Sequence, residues 1–367
     1  MSSIRTAILT TAVLALATLT GCHNCHVWPS TLAVDKAGNG VLEPGETVDV
    51  VPGWYYLSLS SSYGCAINNP CPPTVTESFQ ASNFDGPAGA VYTILDGAAN
   101  YTIPLQTVST CESTGDCYKV HVSAPQIRPL AHWDAMLTEN LTTNRPDLTW
   151  LRPLSASSLE DPLTCPVQIS APKTWAIHIG NSFGDVPTSH PFYAFVEALF
   201  HHSITAGCTA TTYCPDASIR RDQMSVFMLK TMGGPAYTPP PCVGKFSDVP
   251  CPGPFTNWVE DVSNQGVIEG CSADAFCPSL PVTRADMALF LLKARYGSGY
   301  VPPPAVGIFA DVPKLSSKAP WIEDLYNRGI TAGCSSNPLM YCPNASNTRG
   351  QMAAFIDKTF QLLVYGP

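Results

Sequence analysis

The second half of the chain contains one pattern three times, and this repetition limits the possible folds more than any other feature. Phe-x-Asp-Val-Pro occurs at 183–187, 246–250 and 309–313, at intervals of 63 residues. Each copy continues with three more motifs: a turn ending in Gly-Cys (203–208, 266–271, 329–334), an aromatic-Cys-Pro loop (213–215, 276–278, 341–343) and Arg-x-x-Met (221–224, 284–287, 349–352). A fixed period of this kind indicates one supersecondary unit used three times.

Each copy predicts a helix, a loop and a second helix. In the middle copy Val262 lies four residues after Trp258, on one helical face, and Thr283 is a plausible N-cap with Asp286 three residues later. The predicted first helices are Phe192–Phe200, Trp258–Asn264 and Trp321–Asn327, ended by Ser203, Gly266 and Gly329. One such unit cannot bury its apolar faces alone, whereas three around a shared centre can.

These copies resemble S-layer homology (SLH) domains in their Phe-x-Asp-Val start, Gly-Ile-x-x-Gly turn, aromatic-Cys-Pro loop and Thr-Arg helix start. The resemblance covers about 181–364 and divides it into repeats at 183–245, 246–308 and 309–364. It implies an all-α domain of three units with pseudo-threefold symmetry. It also implies grooves between the units that bind cell-wall polymers without covalent bonds.

The resemblance implies which residues line the grooves. In SLH domains the Arg at the start of the second helix meets an acidic sugar, and a planar guanidinium suits a carboxylate. A helix N-terminus would add N–H donors there. The matching arginines and the other groove residues are Arg221, Arg284, Arg349, Asp185, Asp248, Asp311, Trp258 and Trp321. In the structural alternative, each Arg pairs with one of these Asp residues and locks neighbouring repeats together.

Three features of this chain depart from the family pattern, one of which is Arg220 in the first copy, where Thr is usual. The Trp that many SLH domains carry at the head of the first helix is missing, and cysteines bound the loop that usually contains Asp-Gly. The sequence therefore leaves the glycan unidentified.

The N-terminus predicts export. Residues 1–21 have the cationic start and short apolar core of a signal peptide, and Leu-Thr-Gly-Cys22 resembles the lipobox of bacterial lipoproteins. The resemblance implies a lipid anchor on Cys22, a linker over 22–30 and a place in the outer membrane or at the cell surface. Cys22-x-x-Cys25-His26 also has the spacing of covalent c-type haem attachment, so a haem lipoprotein for electron transfer is an alternative.

The other fourteen cysteines predict disulfides in an oxidising compartment. Zinc is the rival explanation, but the spacings are not those of common zinc sites. The recurring loop positions favour local pairs, and two distant cysteines are left over. The expected pairs are Cys208/Cys214, Cys271/Cys277, Cys334/Cys342, Cys242/Cys251, Cys65/Cys71, Cys111/Cys117 and Cys25/Cys165.

Residues 31–182 predict an antiparallel β-sandwich, because short β-rich runs alternate with turn clusters. The expected strands are Val48–Val51, Trp54–Leu59, Ala90–Ile94, Tyr118–Ser123, His132–Leu137 and Trp175–Ile179. The segment 35–46 resembles the opening of immunoglobulin-like domains in bacterial surface proteins. Asn39-Gly40 predicts a tight turn there, while the oxygen atoms of Asp35, Asn39, Glu43 and Glu46 make calcium an alternative.

Net charge and sequence motifs exclude several classes of function. A net charge of −9 without a basic cluster disfavours nucleic acid as a partner. Common catalytic motifs are missing from the sequence, so we expect no catalytic residue, metal or cofactor. A surface carbohydrate hydrolase stays an alternative, because paired carboxylates cannot be recognised from sequence. The sequence thus predicts a non-catalytic envelope protein that binds a cell-wall or surface polysaccharide, such as peptidoglycan, and the membrane through its lipid.

Overall fold

A computed structural model describes residues 25–58, 71–142 and 167–362, which divide into two compact units at Gly180 and Asn181. The N-terminal unit is β-rich and the C-terminal unit is helical, as the sequence predicts. None of the helices in these residues has both the length and the apolar character needed to span a membrane. The predicted signal peptide, Cys22, Cys65 and Cys165 lie outside the described residues.

The N-terminal unit contains two sheets. One has the strand order β4-β7-β2-β1-β9, with β6 also paired to β2, and the other has the order β10-β8-β3-β5. The strands are β1 (Cys25–Val34), β2 (Thr47–Ser58), β3 (Thr74–Asp85), β4 (Tyr92–Asp96), β5 (Ala98–Pro104), β6 (Val108–Thr110), β7 (Tyr118–Val122), β8 (Asp134–Leu141), β9 (Gln168–Ile169) and β10 (Lys173–His178). All pairings within the two sheets are antiparallel except that of β1 with β9.

Aromatic side chains fill the space between the two sheets. The ring of Trp54 on β2 stacks on Phe79 of β3 at a centroid distance of 4.7 Å and meets Trp175 of β10 edge-on at 6.4 Å. All three side chains are buried. Strands of both sheets therefore contribute to one apolar core.

The observed strands differ from the predicted ones, and the short strands β6 and β9 were not predicted. The runs Val48–Val51 and Trp54–Leu59 belong to one long strand, β2. Strand β1 begins at Cys25, inside the expected linker 22–30, and it buries Cys25 and Val27. Strands β3 and β5 were not predicted, because Ser, Thr, Gln and Asn interrupt their apolar positions.

Six disulfides lie within the described residues. Cys25 is bonded to Cys71, with a Cα–Cα distance of 5.7 Å, so the expected pairs Cys65/Cys71 and Cys25/Cys165 are wrong. Sequence proximity misled the prediction, because strand β1 brings Cys25 to the segment before β3. The other five pairs join Cys111/Cys117, Cys208/Cys214, Cys242/Cys251, Cys271/Cys277 and Cys334/Cys342. The bond to Cys71 also uses the Cys25 sulfur that a haem thioether would need.

The helical unit contains three helix pairs. The first pair is α1 (Tyr193–His201) with α2 (Arg221–Gly233), the second is α3 (Thr256–Asn264) with α4 (Arg284–Tyr296), and the third is α5 (Ala319–Asn327) with α6 (Arg349–Phe360). The second helix of each pair contacts the first helix of the next pair, and α6 contacts α1. The contacts therefore close into a ring.

Local signals set the ends of these helices. The first helix of each pair stops before a residue with positive φ, at Ser203, Gly266 and Gly329. Thr283 caps α4, because its side chain accepts a hydrogen bond from the main-chain N–H of Asp286, which confirms the predicted N-cap.

Three backbone hydrogen bonds join the helix pairs at their centre. The N–H of Ile219 donates to the carbonyl of Asn347 at 3.0 Å, Asn347 donates to Val282 at 3.0 Å, and Val282 donates to Ile219 at 2.9 Å. All three residues are fully buried. This closed ring places the starts of α2, α4 and α6 around one axis.

Candidate functional site

The predicted groove arginines lie at the first positions of α2, α4 and α6, immediately beyond the central ring. They are 5–8% exposed, and each reaches the loop of the next helix pair. The guanidinium Nε donates to a main-chain carbonyl at 2.8–2.9 Å: Arg221 to Phe276, Arg284 to Tyr341 and Arg349 to Tyr213. We call these contacts the first, second and third junctions.

Each arginine also stacks on the ring of the same aromatic residue. The distance from the guanidinium carbon to the ring centroid is 4.8 Å at Phe276, 4.8 Å at Tyr341 and 4.7 Å at Tyr213. A cation over an aromatic face is stabilising, and the effect grows when the pair is desolvated. Burial thus makes these arginines part of the packing between neighbouring helix pairs.

The predicted aspartates hold the aromatic loops through the backbone. The carboxylate of Asp248 accepts the main-chain N–H groups of Phe276 and Cys277 at 2.8 and 2.7 Å. Asp311 binds the N–H groups of Tyr341 and Cys342 in the same way, and Asp185 binds those of Tyr213 and Cys214. The expected alternative of Arg–Asp ion pairs is therefore wrong in its chemistry. Asp fixes the loop, and Arg binds the carbonyl of that loop.

The helix N-termini at the junctions are occupied by protein groups. At the first junction the N–H of Arg221 donates to the carbonyl of Leu280, and that of Asp222 donates to Pro278. The other junctions repeat this pattern, from Arg284 and Ala285 to Ala345 and Pro343, and from Arg349 and Gly350 to Ala217 and Pro215. These N–H groups are not available to a bound anion, contrary to our expectation.

The three guanidinium groups differ at Nη2. Arg221 donates from Nη2 to the carbonyl of Glu269, whereas Nη2 of Arg284 and of Arg349 is buried without a hydrogen-bond partner. Burial lowers the pKa of all three side chains, against the opposing effect of nearby acidic or phenolic groups. The second and third junctions therefore each hold a buried donor that a carboxylate could satisfy.

The predicted groove tryptophans form a separate surface. Trp258 and Trp321 are half-buried, and their ring contacts are with Tyr237 and Tyr300, at centroid distances of 6.2 and 6.0 Å. The hydroxyl of Tyr300 donates to Asp324 at 2.7 Å. The eight predicted residues therefore fall into three buried arginines, three aspartates nearer the surface that hold the loops, and two half-exposed tryptophans.

The sequence analysis missed a third recurring group, the buried glutamates of the first helices. The carboxylate of Glu323 accepts three successive main-chain N–H groups, those of residues 306–308, at 2.6–3.0 Å. Glu260 does the same for residues 243–245, and Glu197 binds the backbone N–H of Ser182. The 63-residue spacing of these glutamates is the signal that could have revealed them.

The calcium alternative involves a loop of the N-terminal unit. The amide Nδ2 of Asn39 donates to Glu43 at 2.5 Å, and the main-chain N–H of Glu43 donates to the Glu46 carboxylate at 3.0 Å. Asp35 accepts the N–H of Asn39 at 2.8 Å. Burial and the neighbouring Glu46 raise the pKa of Glu43 to about 8. These oxygens accept hydrogen bonds within the turn, as the tight-turn interpretation predicts.

Cys117 forms the predicted disulfide and also lines a cleft that the sequence analysis did not predict. Its disulfide with Cys111 is confirmed, with a Cα–Cα distance of 5.1 Å. Its half-buried side chain lies in the wall of an open cleft of about 430 Å³. Sequence alone could not reveal this cleft, because the pairing of β2 with β7 brings Asp49 opposite Lys119, beside Cys117.

Charged side chains of both signs line the cleft around Cys117, and several of them pair with each other. Lys36 Nζ lies 2.6 Å from the Glu112 carboxylate, and Lys119 Nζ lies 3.6 Å from that of Asp49. These pairs are at least two-fifths exposed. Exposed ion pairs of this kind contribute little to stability, and the disulfide with Cys111 stays the role of Cys117.

The comparison with protein families finds one match. Residues 182–225 match the S-layer homology domain, which covers the start of the first copy, helix α1 and the beginning of α2. A search of curated proteins finds no match. The match supports a role at the cell surface or in cell-wall binding, and neither the haem nor the hydrolase alternative gains support from it.

Proposed function

We propose that this protein attaches non-catalytically to a cell-wall or surface polysaccharide through three SLH repeats, one for each helix pair. The observation that carries the proposal is the SLH match over the first pair, together with the same Asp–loop–Arg geometry at all three junctions. The second and third pairs have this geometry at spacings of 63 to 65 residues.

The proposed ligand is an acidic glycan. The rings of Trp258 and Trp321 are half-exposed beside tyrosines, and such surfaces stack on sugar rings. The buried Nη2 groups of Arg284 and Arg349 are the donors for a sugar carboxylate. The first junction supplies no such donor, because Glu269 already satisfies Arg221.

Co-sedimentation of the full chain with purified envelope polymers tests this proposal. Peptidoglycan with its attached acidic polymers should retain the protein, and peptidoglycan stripped of them should retain less. Absence of binding to every envelope polymer by the folded protein would falsify the proposal.

Matched arginine variants test the assignment of the donors. For Arg284→Ala and Arg349→Ala we expect at least a tenfold loss of affinity per folded molecule, as losing a charge-assisted hydrogen bond of about 1.5–3 kcal/mol implies. Arg221→Ala is the control, with the same stack but no unpaired Nη2. Equal losses of affinity in all three variants would show that the arginines act only through packing.

We further propose that Cys22 carries the lipid anchor. From Cys22 to Cys25, where β1 begins, the chain reaches at most about 11 Å, so the anchor would hold the N-terminal unit close to the membrane. Cys22→Ser should leave the protein soluble or uncleaved, whereas a His23→Ala control should still partition into detergent. Unchanged partitioning of Cys22→Ser would rule out lipidation at this position.

A further inference from the structure

Two histidines and an aspartate converge at one end of the sheet β10-β8-β3-β5 in the N-terminal unit. Strand β8 begins at Asp134, strand β10 ends at His178, and the antiparallel register places these two residues opposite each other. Side chains of such a pair share one face of the sheet. His132 lies two residues before Asp134, ahead of the strand, and its imidazole contacts the same carboxylate.

The ligand atoms of these side chains are already close together. His132 Nε2 lies 2.9 Å from Asp134 Oδ2, and His178 Nδ1 lies 3.2 Å from Asp134 Oδ1. The two imidazole rings have a centroid distance of 5.2 Å. All three donor atoms lie within 4.8 Å of one another. Ligand atoms around a tetrahedral zinc ion lie about 3.4 Å apart, so small shifts would suffice.

We propose that His132, Asp134 and His178 form a binding site for a divalent transition metal ion, with zinc as the best fit. Two imidazole nitrogens and one carboxylate are the donor set of many zinc sites, whereas calcium and magnesium prefer oxygen ligands alone. The site joins the ends of β8 and β10, with His178 fully buried and the other two side chains about one-third exposed. The metal is therefore reachable from solvent and held by a rigid strand pair.

Binding exchanges protons for the metal ion. Both imidazoles face a carboxylate oxygen in the metal-free arrangement, and they donate to it through His132 Nε2 and His178 Nδ1. The metal replaces these two protons, which move to the other ring nitrogen or to water. The carboxylate of Asp134 then neutralises part of the charge of the ion. The competing interpretation is a hydrogen-bonded His–Asp–His bridge that only ties the strand ends together.

Titration of the full chain with Zn²⁺ separates these interpretations. We expect saturable binding that raises the melting temperature of the protein, because the ion binds the folded state. His132→Ala and Asp134→Asn should each weaken this binding at least tenfold. The matched control is His121→Ala on β7, whose imidazole contacts Thr47, and it should bind zinc like the unmodified chain.

Cobalt provides a spectroscopic signal that separates metal ligation by these side chains from a purely structural role. Co²⁺ bound by these ligands should give a visible absorption band that His132→Ala abolishes, even where Asp134→Asn fails to fold. Absence of saturable Zn²⁺ binding, or equal binding by His132→Ala and the unmodified chain, overturns the proposal and leaves the hydrogen-bonded bridge.

Discussion

The buried charged groups that join the helix pairs and the buried carboxylate in the core of the β-rich unit are satisfied in opposite ways. In the helical unit, the recurring buried Arg and Glu side chains bind backbone groups of a loop, as Arg284 and Glu323 do. In the β-rich unit, the buried carboxylate of Glu139 accepts its hydrogen bonds from side chains. Its donors, at 2.7–3.2 Å, are Trp54, Trp175, Tyr101 and Tyr118.

This difference explains why one unit can be repeated in sequence and the other need not be. A contact to the backbone survives most substitutions in the loop that supplies it, so three copies can diverge and keep the same junction. A network of side chains requires all its members together. Glu139 and its four donors lie on β8, β2, β10, β5 and β7, so every one of these strands must keep its own polar residue.

Removing the Glu139 carboxylate is expected to have the largest effect. In Glu139→Leu four buried donors lose their acceptor, which should destabilise the β-rich unit by about 4 kcal/mol or more, since each unsatisfied group costs about 1–3 kcal/mol. Glu139→Gln retains an acceptor oxygen and serves as the control. Chemical denaturation followed by Trp fluorescence measures the change. A loss below about 1 kcal/mol in Glu139→Leu would contradict the central role of this carboxylate.

Breaking one junction should have the next largest effect. Arg349→Ala removes the hydrogen bond to Tyr213 and the ring stack that closes α6 onto the first pair, at an expected cost of about 2–4 kcal/mol. The melting temperature of the helical unit should then fall by about 5–15 °C. Arg295→Ala, at the far end of α4, is the control, because the distance from its guanidinium carbon to the nearest ring centroid, that of Phe360, is longer, at 5.8 Å. Equal melting temperatures for the two variants would show that the third junction does not stabilise the helical unit.

The two kinds of carboxylate should respond to pH with opposite signs. Burial outweighs the four donors and raises the pKa of Glu139, so its stabilising contribution is present below the ordinary pKa of 4.5 and is lost as the pH rises through the raised value. Burial also acts to raise the pKa of Glu323, but three backbone N–H groups lower it below 4.5. Its contribution is therefore present above pH 4.5 and lost as the pH falls through the lowered value.

Gln variants isolate these effects from other titrating groups, such as Asp357, whose pKa burial raises to about 6. The difference in stability between the unmodified chain and Glu139→Gln should shrink with rising pH. The difference for Glu323→Gln should shrink with falling pH. Urea denaturation across about pH 3–8 measures both differences. If the two differences change with pH in the same direction, the backbone donors of Glu323 do not make its pH response differ from that of Glu139.

The repeat explains how much of the helical unit could be predicted. Recurring motifs located the first helix of each pair within two residues, located the start of each second helix and identified the N-cap Thr283, because these features depend on local sequence. The partners of the arginines could not be predicted, since the carbonyl of Tyr213 lies 136 residues from Arg349. In the β-rich unit even strands β3 and β5 were missed. No local pattern marks Glu139, because its donors come from four other strands.

The smallest predicted effect is a gain of stability at the first junction. The hydroxyls of Tyr213 and Tyr341 donate to the main-chain carbonyls of Arg349 and Arg284, at 3.0 and 2.8 Å. Phe276 has no hydroxyl, and the carbonyl of Arg221 accepts a hydrogen bond from Ser225 Oγ at 3.0 Å instead. If the junctions are three copies of one backbone-directed arrangement, Phe276→Tyr made in the Ser225→Ala background should replace the bond from Ser225 and stabilise the helical unit by about 0.5–1.5 kcal/mol relative to Ser225→Ala.

Tyr341→Phe provides the reverse control for this prediction and should lose a similar amount, because it leaves the carbonyl of Arg284 without its side-chain donor. Denaturant midpoints of these variants, of Ser225→Ala alone and of the unmodified chain measure both changes. Phe276 is fully buried, so the added oxygen must find its acceptor or remain unsatisfied at a cost of about 1–3 kcal/mol. The sign of the change in Phe276→Tyr therefore reports whether the first junction has the geometry of the other two.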